Sequence, residues 1–331
     1  MGRRSRQGTS RVLADVVDRL RCPHCAARAD TEVGLALDGR SLRCPRGHTF
    51  DVAKQGYASL LTGHAPPLPG DTAAMVAARE SFLAGGHFAA ITQALAEAAV
   101  AASRAATRGA PPGPSGPATR GASPGPSGPA TRGTTPGAGG PGGVVDLGAG
   151  TGHHLAAVLD ALPGHTGVAA DISGYALHRA ARAHPRAGAI RCDAWRPLPL
   201  RTGAASVVLN VFAPRNGAEL HRVLQPGGAV LVVAPTGRHL RELATAVGAV
   251  SVDPRKADRL DAALGPYFAR AADQAVETTV RLSHADALTA VAMGPAAWHV
   301  EPEALAERIG TLPDPVEVTV SVTLSTYGRT S

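Results

Sequence analysis

The sequence predicts an α/β chain: a parallel sheet with helices on both faces, preceded by a small Cys/His module. Three observations predict it. From residue 144 onward, short apolar runs alternate with helix-length segments, the pattern of a doubly wound sheet. The first run, VVDLGAGTG, ends in an acid and glycines, a turn that lets backbone approach a ligand at a helix start. Ahead of it, RCPHC (21–25) and RCPRGH (43–48) set three Cys and one His at short, paired spacings.

Bulk properties narrow the class. The chain has 331 residues, 33 Lys+Arg against 26 Asp+Glu and a net charge of +7, which favours a polyanionic partner. The basic start, MGRRSRQGTSRV, is followed by no apolar stretch, so no secretory signal is expected. No apolar run approaches the roughly eighteen residues that cross a bilayer. Four Cys in unequal spacing without an export signal exclude a disulfide framework. The expectation is a soluble, cytoplasmic protein with no membrane partner.

In chain order, residues 1–20 read as a flexible basic arm and 21–62 as the Cys/His module. Residues 63–106 read as a helical segment packing on the following domain. Gly70-Asp71 is its expected cap, and Met75, Ala78 and Phe82 mark an apolar face. Gly85-Gly86 breaks that helix, and a second starts near Phe88. Residues 107–143 repeat TRGAPPGPSGPA as TRGASPGPSGPA and TRGTTPGAGG. So much Pro and Gly offers no core, which predicts a disordered linker or an expanded surface loop. A binding arm carrying three Arg is the alternative.

Residues 144–331 form the last domain. Strands are expected at 144–150, 167–173, 188–195, 205–214 and 227–235, with helices at 152–162, 174–184, 216–224 and 236–248. The alternating tail VEVTVSVTLSTYG predicts an antiparallel edge pair closing the sheet.

Three acids close three successive strands: Asp146 before the glycines Gly148 and Gly150, Asp171 about twenty residues on, and Asp193 ending the third strand. A glycine turn alone would also suit a dinucleotide. An acid before the glycines, a second placed for ribose hydroxyls and a third placed for an adenine amino group point instead to S-adenosylmethionine (AdoMet). With PGGAVLVVAP downstream, residues 144–240 resemble a class I (Rossmann-like) AdoMet methyltransferase.

Cys22 and Cys25 are two residues apart, Cys44 and His48 three, and the gap between the pairs can hold a hairpin. Three thiolates and an imidazole complete a closed tetrahedral Zn2+ site. Free buried thiols, or a redox CxxC, are the alternatives; the second leaves Cys44 and His48 without a role. About forty residues with few large apolar side chains need such a staple. Cys44→Ser is expected to lose zinc and destabilise only the N-terminal part. Cys192 reads as a core thiol within the third strand.

The two parts together are similar to the bacterial 23S rRNA guanine-N1 methyltransferase family, which includes the tylosin-resistance enzymes. The resemblance is carried by CPHC, CPRGHTFDVAKQGYASLL (44–61), PGDTAAMVAARESFLAGGHF (69–88), VFAPR (211–215), LQPGGAVLVVAPTGRHLREL (224–243) and AVAMGPAAWHV (290–300). It implies that Cys22, Cys25, Cys44 and His48 hold zinc. It also implies that Gly150, Thr151 and His239 contact AdoMet, and that Phe88 does so where the family usually has Tyr. The 107–143 insert has no counterpart.

The activity so implied is methylation of N1 of a guanine in a 23S rRNA hairpin near the peptide exit tunnel, obstructing a tylosin-type macrolide. Asn210 and Arg215 are candidates for base or phosphate contacts, and Asp71 for the proton acceptor. Residues 1–60 hold eleven basic side chains against six acidic, a phosphate-binding face on the zinc module. Two copies pairing around the hairpin is compatible with the resemblance. A small-molecule methyltransferase of an antibiotic pathway, and an AdoMet-sensing zinc regulator that binds nucleic acid, stay open as rivals.

Overall fold

Buried, β-branched runs become strands here because their side chains are covered on both faces of the sheet, by helices on one and largely by the N-terminal module on the other. The computed structural model describes residues 13–29, 32–63, 70–109, 142–248, 262–294 and 301–330. The repeat over 110–141, the first twelve residues and the end of AVAMGPAAWHV lie outside the described residues.

The N-terminal module contains helix α1 (Pro23–Ala29) and the short strands β1 (Ala36–Asp38), β2 (Ser41–Arg43), β3 (Thr49–Asp51) and β4 (Tyr57–Ser59). Helices α2 (Ala73–Ala84) and α3 (Ala89–Gly109) follow. Then come β5 (Gly143–Leu147), α4 (His153–Ala161), β6 (Thr166–Asp171), α5 (Gly174–Ala183), β7 (Ala187–Arg191), β8 (Ala205–Val211), α6 (Gly217–Val223), β9 (Leu224–Pro235) and α7 (Arg241–Val247). The chain ends with β10 (Phe268–Leu282), α8 (His284–Ala292), α9 (Pro302–Gly310) and β11 (Val316–Arg329).

β1–β2–β3 form a small antiparallel sheet, and the rest join one eight-stranded sheet in the order β10-β11-β9-β8-β5-β6-β7-β4. The pairings from β4 to β9 are parallel; β9–β11 and β11–β10 are antiparallel. The order reverses between β5 and β8, the switch point where doubly wound sheets bind ligands.

Several expectations are corrected. The cap of α2 is Thr72, whose hydroxyl accepts from Met75 N, and not Gly70-Asp71. The tail strand β11 does belong to an antiparallel edge pair, but as its inner member; the outer strand is the long β10, whose sparse burial hid it from the sequence reading. Cys192 and Asp193 follow β7 instead of lying within it. Residues 13–20 are not a flexible arm: Leu13, Val16 and Leu20 are fully buried, and the Arg19 guanidinium donates to Ala204 O at 2.8 Å.

These residues share a core with Leu42, Phe50 and Leu60 of the module and with Val145, Val168 and Ile190 from one face of the sheet. The opposite face is covered by α2–α5, through side chains such as Phe82, Leu95, Leu155 and Leu177. The zinc-type module thus serves as part of one covering layer. On that face the connection between β8 and β9 is the seven-residue α6, whose Leu220 and Val223 join the same core.

Candidate functional site

In the module, Cys22 precedes α1 and Cys25 lies in its first turn, so one helical turn aligns both thiols. Cys44 and His48 flank the tight turn between β2 and β3, where Gly47 takes φ +88° and Cys44 N donates to His48 O at 2.8 Å. The four ligand atoms lie within 4.8 Å of one another. Cys22 Sγ and Cys25 Sγ stand 3.4 and 3.5 Å from His48 Nδ1, and Cys25 Sγ stands 3.5 Å from Cys44 Sγ. A tetrahedral Zn2+ with bonds of about 2.0–2.3 Å would space its ligands by about 3.5–3.8 Å, so the donor set suits the ion closely. The backbone N–H of Arg46 donates to Cys44 Sγ at 3.3 Å, and His24 stacks on His48 with ring centroids 5.0 Å apart. Both steady the first ligands.

At the carboxyl ends of the parallel strands, a cavity of about 590 Å³ opens. That volume is in the range of small-molecule sites. Asp71, Phe88, Asp146, Gly148, Gly150, Thr151, Asp171, Asp193 and His239 all line it. The glycine loop is cut to this shape: a Cβ on Gly148 would come 2.4 Å from that of Ala213, and its φ of +78° suits only glycine. Gly150 N–H and Ser173 N–H each donate to the Asp171 carboxylate at 2.8 Å. Asp193 accepts from Trp195 N at 2.9 Å.

Asp146 sits deepest, 2 % exposed, with Oδ1 buried and unpartnered. Burial, and then the charge of Asp171, push its carboxyl up to about 8. Such an oxygen is a standing acceptor for a donor in the cavity. His239 Nδ1 accepts from Ser321 N at 3.2 Å, which leaves the proton of the neutral ring on Nε2. Its ring lies 5.5 Å from Phe88 and from Phe212. Burial raises Cys192 to about 12, so it stays a protonated thiol in the cavity wall, not a nucleophile.

Asn210 and Arg215 are not among the lining residues. Asn210 is fully buried and donates from Nδ2 to Pro214 O at 2.8 Å, bracing the loop after β8 from behind. Arg79 was not anticipated: its guanidinium pairs with the Asp71 carboxylate and donates to Met293 O at 2.9 Å. The available signal was a charged residue four after Met75 on the apolar face of α2. Phe212 and Leu240 also line the cavity, and they are the only non-glycine residues with positive φ among those described. Periodicity gives no hint of that.

Comparison with known proteins joins the two sites. Residues 20–65 match the family described as RlmA, N-terminal, a zinc ribbon, and residues 144–228 match a methyltransferase domain family. A protein of Micromonospora griseorubida bearing the name 23S rRNA (guanine-N(1)-)-methyltransferase is 47% identical, covering 95% of this chain and 98% of its own. The 23S rRNA (guanine(748)-N(1))-methyltransferase of Streptomyces fradiae is 46% identical over 94% of this chain and 97% of its own. A Bacillus subtilis relative of the same name class, YxjB, is 28% identical over 67% of this chain and 66% of its own. Among the described residues, no helix is long and apolar enough to cross a membrane. Matched in both parts and shared nearly end to end with two of its members, the chain belongs to the bacterial 23S rRNA (guanine-N1)-methyltransferase family.

Proposed function

We propose that the cavity holds AdoMet and a guanine of a 23S rRNA hairpin side by side, and that the enzyme methylates that guanine at N1. The observation that carries this is the convergence of nine candidate residues from separate segments on one cavity at the switch point of the sheet. When bound, AdoMet supplies an electrophilic methyl on a positively charged sulfur.

In this reading Asp171 accepts the ribose hydroxyls, giving up its hold on Gly150 N–H, and Asp193 faces the adenine amino group. Gly148, Gly150 and Thr151 let the backbone approach the cofactor, Asp146 takes a donor on its unpartnered oxygen, and Phe88 and His239 pack against it. Cys22, Cys25, Cys44 and His48 hold a structural Zn2+. Guanine N1 carries a proton, which must leave as the N1–carbon bond forms and the sulfur–carbon bond breaks. Asp71 is the assigned acceptor: Arg79 holds its Oδ2, fixing the carboxylate and leaving Oδ1 for the proton. Orientation of the base against the methyl supplies much of the remaining rate.

Exposed basic side chains on the module (Arg28, Arg40, Arg43, Arg46 and Lys54) are placed to meet phosphates of the hairpin. Two copies around one hairpin belong to this reading, as does a cytoplasmic setting, where rRNA is made. High identity to the two actinomycete relatives supports the resistance branch, in which the methyl lies near the peptide exit tunnel and obstructs tylosin-type macrolides. Primer extension on 23S rRNA from cells with and without the gene tests the whole. An N1-methyl blocks pairing, so one new stop is expected at the position equivalent to guanine 748. An unchanged ladder, or methylation of a macrolide instead of the RNA, would overturn it.

A further inference from the structure

The chain is poor in aromatics, with two Trp, four Tyr and five Phe. Among the described residues, three large apolar side chains are exposed: Tyr175 (61 %), Trp195 (58 %) and Phe212 (40 %). All three stand beyond the carboxyl ends of parallel strands of one sheet, two of them, β6 and β7, adjacent and the third, β8, on the far side of β5. Tyr175 is the second residue of α5 after β6, Trp195 follows β7, and Phe212 follows β8 directly. Trp195 and Phe212 line the cavity itself, and their loops meet where Asn216 Nδ2 donates to Trp195 O at 3.4 Å.

Phe212 is not exposed by looseness. Its φ of 53° is one that a side chain with a Cβ rarely adopts. The conformation is imposed from three sides: Phe212 N–H donates to Val233 O at 3.1 Å, Asn210 braces Pro214, and Ala213 closes on Gly148. Phe88 and His239 back the ring at centroid distances of 6.1 and 5.5 Å. A ring held outward at conformational cost beside a cavity is placed for a flat partner.

The surroundings argue for a nucleobase over an apolar small molecule. Tyr175 shares a face of α5 with His178, Arg179 and Arg182, and Arg196 adjoins Trp195. Aromatics interleaved with basic side chains suit bases strung on a phosphate backbone.

We propose that Phe212 and Trp195 are the stacking walls that receive the target guanine out of its hairpin, with Tyr175 as an outer step for an adjacent unpaired base. This rests on the methyl-transfer reading above. Stacking accepts any base, so these walls hold the base out of its stack, while choice of guanine is left to hydrogen bonds on its edge.

The test uses the full chain. Trp298→Phe leaves Trp195 as the single tryptophan. Its emission is followed on adding S-adenosylhomocysteine, then the 23S hairpin, then the same hairpin with the target guanine replaced by an abasic site. Quenching by the intact hairpin but not by the abasic one is expected. Full quenching by S-adenosylhomocysteine alone would make Trp195 a cofactor wall and overturn its role.

In turnover, Phe212→Ala should raise KM for the hairpin roughly 5- to 100-fold with AdoMet affinity unchanged, and Phe212→Tyr should restore it. Equal loss of AdoMet affinity, or no rescue by Tyr, would reduce Phe212 to a structural residue. If wild-type protein methylates the hairpin and the variants match it, this inference alone fails. If wild-type protein leaves 23S RNA unmethylated, the methyl-transfer reading fails with it.

Discussion

The metal cluster and the cavity are built in opposite ways. The four ligands come from one stretch, Cys22 to His48, and two tight turns bring them within 4.8 Å. The cavity gathers residues from Gly70 to Gly294, delivered by several elements far apart in the chain. A local cluster can be read from spacing, because short loops fix which side chains meet. A non-local cavity depends on sheet order, which spacing does not state. Yet the two share a body: Cys22, Cys25 and Cys44 lie in the same buried layer as Val145, Leu147 and Ile190 beneath the cavity.

That shared layer changes what loss of zinc should do, and it gives the largest expected effect. Cys44→Ser should lose stoichiometric zinc and, with it, on the order of 10 kcal/mol of ordering energy in the module. β4 pairs with β7 through Tyr57↔Ala189 and Ser59↔Arg191, so the damage should reach the sheet instead of stopping at the module. Amide exchange should therefore quicken in β1–β4 and in β7 while β9–β11 keep their protection. Full zinc content, or loss confined to residues before Ser59, would separate the two regions again.

A smaller effect tests the seam between them. Arg21, beside the first zinc ligand and 1 % exposed, donates from Nε to Leu198 O at 3.0 Å. It also meets Glu32 at 3.2 Å and Glu219 of α6 at 3.5 Å. Arg21→Met leaves those carboxylates short of a partner and should cost about 3 kcal/mol by denaturant unfolding, with zinc retained. A loss below about 1 kcal/mol would mean that Arg222, also paired with Glu219, carries the seam alone.

The remaining test belongs to the cavity. The folded protein holds the Asp146 carboxyl up to about 8 against an ordinary 3.8, so it keeps a proton that the unfolded chain has released. Stability should therefore fall as pH rises between those two values, and stay level below them. Asp146→Asn should flatten that fall, seen in denaturant midpoints at pH 5 and pH 8. Equal slopes in both proteins would show that Asp146 is ionised in the fold.

How much was legible follows the same division. The Cys/His cluster, and the glycine loop and three acids that line the cavity, were readable because each chemistry constrains residue type at a fixed offset. The strand–helix alternation was readable because apolar runs mark buried strands. β10 escaped because an edge strand exposed on one side loses the apolar pattern; its burial is confined to a few positions such as Phe268 and Leu282. Residues 13–20 were mistaken for an arm because Leu13, Val16 and Leu20 are too few to announce a core before their neighbours are known. Arg79 and the outward Phe212 were invisible as site residues, since pairing with Asp71 and a positive φ are facts of geometry.

The sequence by itself therefore determined the chemistry on offer: a closed Cys3His metal site, glycines at a strand–helix turn, and acids at successive strand ends. These depend on side-chain type and short-range spacing, which folding does not alter. Only the tertiary structure decided that the zinc module adds a strand to the methyltransferase sheet, that Asn210 braces a loop instead of lining the cavity, and that the exposed aromatics stand on the same side of one sheet, beyond the carboxyl ends of β6, β7 and β8. Those outcomes depend on strand order, burial and backbone dihedral angles, which long-range packing selects and no short window of sequence contains.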